Sequence, residues 1–272
     1  MGIQSFKAQK GDPDWAFTPD QYFDKEFKVI DASVVELSRN QADRMVLRQT
    51  PTEKGMLAKH IRIEVCENSS LDLTIINEAA DKMQQVFIYD IYVRDRGQIN
   101  MGIFAKGGRL NKHIIQIKLE NFANFNGYGY VGNDVSGDCE LITKIEHLGS
   151  ASVSNQFFVF EAGADSQTVF QSWVQVEEDT EFTQVGVDAS NLITGPNGRC
   201  QSVPQIFNDT YTSKISSGSD TEFLDPDKIY YLQTRGMTED RATRYLIDQH
   251  RNRVLDIIPC EDIKEEIIQL LG

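Results

Sequence analysis

From His60 onward the chain alternates apolar and polar residues in short runs. Ile61, Ile63 and Val65 are separated by Arg62 and Glu64, and Leu71, Leu73 and Ile75 by Asp72 and Thr74. The same spacing returns at Ile99, Met101 and Ile103, at Ile115, Ile117 and Leu119, and at Leu141, Thr143 and Ile145. Phe158 with Phe160, and Phe170 with Val174 and Val176, continue it, and Ser190–Thr194 and Val203–Phe207 close the series. A period of two sends alternate side chains to opposite faces of a strand. Strands recurring every roughly 10–15 residues between turn-forming residues predict an all-β body. No long helical stretch interrupts them, which argues against alternating strand and helix units. Sandwich, barrel and parallel β-helix all satisfy this pattern. Asn-Gly occurs only at Asn126-Gly127 and Asn197-Gly198. So few tight-hairpin signals favour the solenoid.

At Leu224 the period becomes helical. Asp225 is a helix cap and Pro226 fits the first helical position, with Ile229, Tyr231 and Leu232 forming an apolar side. Gly236 suits a left-handed stop, and Arg235 faces the negative end of the helix. Thr238 opens a second helix, with Glu239 and Asp240 in its first turn. Beyond Pro259, Ile263, Ile267, Leu270 and Leu271 share one helical face over Cys260–Leu271. That face is expected to pack on the β body. Towards the start, residues 1–25 read as an irregular arm, Lys28–Leu37 as a first strand and Asn40–Gly55 as a polar loop. The expected division is an arm and first strand over 1–56, a solenoid core over 57–222 and a helical region over 223–272.

Charge and composition narrow the function classes. The 272 residues carry a formal charge of −14, the wrong sign for general binding to a phosphate backbone. Hence no nucleic-acid partner is expected. No apolar run is long enough for a bilayer span and no leader-type segment precedes Lys7, so a cytoplasmic protein without a membrane partner is expected. Cys66, Cys139, Cys200 and Cys260 lack metal-knuckle spacing and read as free thiols.

There is no phosphate loop, no dinucleotide fingerprint and no nucleophile elbow. His60, His113, His147 and His250 are scattered, although Cys139 and His147 are near enough in sequence to meet at one turn. A polysaccharide-active β-helix would need a carboxylate pair or a calcium site on one face; Asp and Glu are too abundant for the spacing to pick a pair, and Asp134, Asp138 and Asp165 are among the candidates. No intrinsic cofactor and no enzymatic activity are expected.

Several segments in one colinear order resemble the SufB/SufD family of iron–sulfur cluster assembly scaffolds. Leu224-Asp225 through Tyr230-Tyr231-Leu232-Gln233-Thr234-Arg235-Gly236 is similar to that family's L-D-x-x-x-x-[FY]-Y-L-x-S-R-G element, with Glu239 and Ala242 placed as in its next helix. Thr183, Asn191-Leu192-Ile193 and Pro204-Gln205-Ile206 resemble its upstream strands. So do Val169-Phe170 with Val174 and Val176, and His147 with Ser152, Ser154 and Gln156.

The resemblance implies a right-handed parallel β-helix with a short C-terminal helical region, pairing with a SufB-type subunit or with itself. It also implies docking of a SufC-type ATPase through Leu224, Ile229, Tyr231, Leu232, Arg235, Gly236 and Ala242, in a protein that is SufD-like. A cluster would be held only transiently, within the complex. The departures are equally specific. Where the family carries a cysteine and a histidine before the L-D helix, this chain has Ile215 and Ser217, and Val187-Asp188-Ala189-Ser190 lacks the SufB-type thiol. Isoleucine and serine supply neither thiolate nor imidazole. Cys200 and His147 are the remaining candidate metal ligands. A stand-alone β-helix interaction protein is the alternative reading.

Overall fold

The computed structural model describes residues 31–49 and 55–272; the proposed arm over 1–25 lies outside them, as do Lys28–Ile30. The strands run, in chain order, β1 (Asp31–Leu37), β2 (Ala42–Gln49), β3 (Gly55–Val65), β4 (Ser70–Ala79) and β5 (Met83–Val93). They continue with β6 (Gln98–Gly107), β7 (Leu110–Leu119), β8 (Asn124–Asn133), β9 (Ser136–His147) and β10 (Val153–Ala162). The last are β11 (Asp165–Val176), β12 (Gln184–Ile193), β13 (Arg199–Asn208) and β14 (Lys214–Phe223). Three helices follow: α1 (Pro226–Thr234), α2 (Glu239–Leu255) and α3 (Glu261–Leu271).

Odd strands form one seven-stranded sheet and even strands another, in the orders β1-β3-β5-β7-β9-β11-β13 and β14-β12-β10-β8-β6-β4-β2. Every pairing between described strands is parallel. Consecutive strands therefore never pair. The chain winds as a parallel β-solenoid, two strands to a turn, which settles the choice among the three all-β plans.

The alternation seen in the sequence becomes columns of stacked side chains. Ile63, Ile91, Ile117, Ile145, Val174 and Ile206 occupy one register position across the odd sheet. Facing them inside the bore, Met45, Leu73, Met101, Gly127, Gln156, Val187 and Ser217 form a column of the even sheet. The even-sheet column becomes polar towards the last turn, and a separate buried cluster of Asn77, Gln85, Asn111 and His113 lies within the earlier turns. Thr143 donates to Gln156, which donates to Ser172 (2.7 and 2.9 Å). Ser202 donates to Asn191, whose amide reaches Thr221 (2.8 and 3.1 Å).

Three expectations need correction. The stretch Asn40–Gly55 contains β2: Met45 and Leu47 face the bore, while outward Arg44 and Arg48 gave it a loop-like polarity. Asn126-Gly127 is no hairpin turn but lies within β8, where a Cβ on Gly127 would meet the Phe125 ring at 2.7 Å. The segment 214–223, largely inside the expected solenoid core, forms the strand β14 without an alternating apolar face. The solenoid therefore includes β1 and β2, ahead of residue 57.

The helical tail lies on the outer face of the even sheet. Ile76, Phe104, Tyr130 and Val159 form an outward apolar column there, flanked by Arg48 at one end and by Ser190 and Asp220 at the other. Val254, Leu255, Ile258, Ile263, Ile267 and Leu271 bury against it. The Cys260–Leu271 face thus packs within the chain, as expected, and is not free for a partner. Charges close both ends of the column: Arg48 donates to Glu266 through two bonds (2.6 and 2.7 Å), and Arg253 donates to Ser190 and Asp220.

Beside the column Glu161, 1% exposed, accepts two bonds from Arg251 (2.9 and 3.1 Å) and one from Tyr130 (2.9 Å). Arg251 also donates to the Leu271 carbonyl (2.6 Å), which Lys106 shares (3.2 Å). Among the described residues no helix is long and apolar enough to cross a membrane.

A buried pair with one partner removed leaves an uncompensated charge, whereas a half-exposed pair is worth little. Arg251→Ala should therefore lower unfolding stability by about 3–5 kcal/mol and Arg48→Ala by less than about 1 kcal/mol, compared by urea denaturation. Similar losses for both variants would refute this ranking.

Candidate functional site

Two surfaces meet at the C-terminal end of the solenoid. The first is its last turn. Among the described residues β13 and β14 each end a sheet, so one side of each carries peptide groups with no described strand beside them. Ile215 and Ser217 continue inward-facing columns behind Val185 and Val187, yet both are exposed because no further described turn covers them. Phe207, Tyr211, Ile215 and Phe223 stand out around this rim.

The second surface is the α1–α2 pair. Asp225 caps α1 by accepting from the Asp227 amide (2.9 Å), Pro226 opens it, and Gly236 ends it at φ 95°. The Gly236 and Met237 amides return to the Gln233 and Leu232 carbonyls (2.9 and 3.2 Å). Thr238 caps α2. No side chain of α1 is buried. Its residues Asp227, Lys228, Tyr231 and Leu232 face Tyr245, Leu246 and Gln249 of α2 across a cleft of about 380 Å³.

The Arg235 guanidinium lies 5.2 Å from the Tyr231 ring centre and donates to its hydroxyl (3.2 Å). Leu224, Ile229 and Leu232 are half-buried, while Tyr231, Arg235 and Gly236 are exposed. Ala242 is fully buried, so it shapes the helix pair without presenting a surface. Seven of the fourteen exposed large apolar side chains described lie between Phe207 and Tyr245. That concentration marks the region as one built to be covered.

The candidate metal ligands do not converge. His147 is buried, with Nδ1 on Ser152 Oγ (2.7 Å) and Nε2 on Ser154 Oγ (2.8 Å), so both ring nitrogens are engaged. Burial holds its pKa down at about 4. Cys200 sits two strands from Cys139 in one column, Cys139–Thr168–Cys200. His147 is eight residues further along β9, roughly 26 Å at strand rise. For the same reason Cys139 and His147 do not meet. Burial pushes the Cys200 thiol up to about 12, and Glu161 adds to it. Cys139 is raised too, again chiefly by burial.

Cys66 follows β3 and Cys260 precedes α3, so the four thiols stay apart. Among the described residues no three His, Cys, Asp or Glu side chains are grouped to hold a metal. Nor do Asp134 and Asp165 form a reactive pair: Asp134 meets Lys106 (3.3 Å) and Asp165 accepts from Asn197 (2.8 Å). Asp138 is raised above the usual carboxylate range by burial and by Glu140.

The sequence reading missed the rim formed by β14 and the part played by Tyr245. The signal for β14 was indirect. Lys214–Phe223 has one apolar residue at each end and serines between, as an uncovered last strand would.

The His147 environment predicts a pH dependence. Unfolded, its imidazole takes up a proton near pH 6.5; folded, it resists until about pH 4. Stability should thus be fully present above about pH 6.5 and fall towards pH 4, by up to about 3 kcal/mol from this residue. His147→Asn should flatten that part of the profile, read by denaturation at stepped pH. An unchanged slope would contradict it.

The family profile described as "SUF system FeS cluster assembly, SufBD core domain" matches residues 23–250. The chain is 25% identical over 170 residues to the iron–sulfur cluster assembly SufBD family protein slr0076 of Synechocystis, covering 61% of this chain and 37% of that protein. It is 21% identical over 211 residues to protein ABCI7, chloroplastic, of Arabidopsis thaliana, covering 76% and 44%. Against the iron–sulfur cluster assembly protein SufD of Escherichia coli K12 it is 22% identical over 170 residues, covering 62% and 40%. The matched region spans about two fifths of the length of each of these relatives.

Proposed function

The chain belongs to the SufBD family of iron–sulfur cluster assembly proteins, and from that premise we propose that it is a SufD-like, non-catalytic scaffold subunit working in the cytoplasm. One observation carries the proposal. Among the described residues the strands β13 and β14 end their sheets and the α1–α2 pair is exposed, while the positions where the resemblance places a cysteine and a histidine hold Ile215 and Ser217. Here the cluster is cargo of the assembly, and this chain contributes geometry rather than ligands. Cys200 is grouped with no other candidate ligands among the described residues, burial raises its thiol pKa, and its Sγ lies 3.8 Å from the Leu192 carbonyl.

In this reading a SufC-type ATPase docks on α1 and α2, with Tyr231 and Leu232 at the centre of the contact and Arg235 holding the Tyr231 ring. Aromatic side chains flanked by arginine are the usual anchors of such interfaces. The open strands β13 and β14 pair with a SufB-type subunit or a second copy, which satisfies their free peptide groups. Movement imposed on α1 and α2 by the ATPase reaches the solenoid through Arg251 and Arg253, which grip Glu161 and Asp220. The loss of ligand residues also favours a second reading, in which the fold survives as an interaction protein outside cluster assembly.

Anaerobic co-expression with a SufC-type ATPase and a SufB-type subunit tests the first reading. The complex should be retained on affinity capture. Tyr231→Ala and Leu232→Ala should weaken ATPase retention at least about tenfold without loss of the folded spectrum. Failure to retain either partner would give the second reading the lead.

A further inference from the structure

A groove of about 510 Å³ runs along the outer face of the even sheet, from beside the turn between α2 and α3 to Ser216 on the last strand. One wall is a ladder of stacked carboxamides. Asn100 donates to Asp72 (2.8 Å), Asn126 to Asn100 (3.0 Å) and Asn155 to Asn126 (3.3 Å). These residues share one register position across β4, β6, β8 and β10. The ladder has a direction: each amide donates towards the Asp72 carboxylate. Polarisation along such a chain strengthens the acceptor at its far end, here Asn155 Oδ1.

The next two positions in the column are Gly186 and Ser216. A Cβ at position 186 would stand 3.0 Å from Asn155 Oδ1, so glycine leaves that acceptor uncovered. In the neighbouring column a Cβ at position 218 would lie 2.9 Å from Asp188 Oδ1, and Gly218 leaves that carboxylate room in turn. Asp188 is exposed and is the one charged residue among the described residues that line the groove. Tyr128 and Phe157 form the floor, and Ile257 and Pro259 the opposite wall. Arg253 lies over the Phe157 ring at 5.7 Å, but its charge is met by Asp220.

We propose that this groove receives a lysine or arginine side chain from a peptide segment of a partner protein. The alkyl stem would lie along Phe157, Ile257 and Pro259, and the charged head would donate to Asp188 and Asn155 Oδ1. A carboxylate, a strengthened amide acceptor and an apolar channel select a cation on an aliphatic stem over an anion or a plain hydrocarbon. The acidity of the whole chain, −14, favours approach of such a segment. The inference does not rest on the scaffold reading.

The test titrates the full chain with three capped tripeptides: acetyl-Ala-Lys-Ala-amide, its arginine counterpart and its norleucine counterpart. Side-chain amide resonances of Asn126 and Asn155 report occupancy by NMR. The basic peptides should shift both resonances saturably, with weaker binding at high salt, and norleucine should not. Asp188→Asn, on the surface, should weaken the basic peptides about tenfold. Gly186→Ala should close the site. Equal saturation by norleucine, unchanged affinity in Asp188→Asn, or no shift at millimolar basic peptide would each overturn the proposal.

Discussion

The carboxylate of Glu161 is the point from which the helical tail hangs. It is buried on the outside of a β-sheet, where a charge is costly unless its hydrogen-bonding capacity is filled. Arg251 and Tyr130 fill it with three bonds. Because Arg251 also holds the last carbonyl turn of α3, one guanidinium fixes two helices to one strand. The apolar contacts of α2 and α3 supply most of the attraction, since burial scales with area. They do not by themselves dictate where along the sheet the helices stop. The Glu161 geometry does, with Arg48–Glu266 and Arg253–Asp220 marking the two ends of the covered stripe.

That arrangement gives the molecule a finished face and an unfinished end. The outward apolar column Ile76–Phe104–Tyr130–Val159 stops at Ser190, one strand before the last. The inward columns lose apolar character at the same place, with Ile206 facing a rim of Ser217, Ser219 and Thr221. A solenoid that ends in solvent needs either a cap or a partner. α1 is not a cap, because none of its side chains is buried. The uncovered strand edges and the rim aromatics are instead what a second β-structure would complete, since parallel stacking has no intrinsic stopping point.

The sequence disclosed strands most clearly where one face was apolar and the other charged. Where both faces are apolar, as in Ile75-Ile76, Ile103-Phe104 and Phe158-Val159, the extra residue was the trace of the covering helices. It reads as irregularity until the tail is seen in place. β2 and β14 were obscured because terminal turns lack a neighbour on one side and tolerate polar residues at inward positions. The helix caps were fully legible, since Asp225, Pro226, Gly236 and Thr238 act through local backbone geometry alone. The site was only partly so. Register decides which distant residues share a column, and register cannot be counted from spacing when turn lengths vary. Cys139 and His147 therefore passed as a possible pair in sequence, although most of a strand's length separates them.

Register also explains why the ligand substitutions and the exposed rim belong together. Ile215 and Ser217 face the bore on the last strand, where any group they held would be shielded on one side by the solenoid and on the other by whatever covers its end. A thiolate and an imidazole there would make the end of the solenoid half of a metal site. Isoleucine and serine instead set an apolar group and a small hydroxyl on the sheet's last strand. The backbone at these positions is an ordinary parallel strand in register with β12, so the identity of the two side chains leaves the fold unchanged. What the side chains at this end do define is its shape, its open strand edges and the grip of the tail.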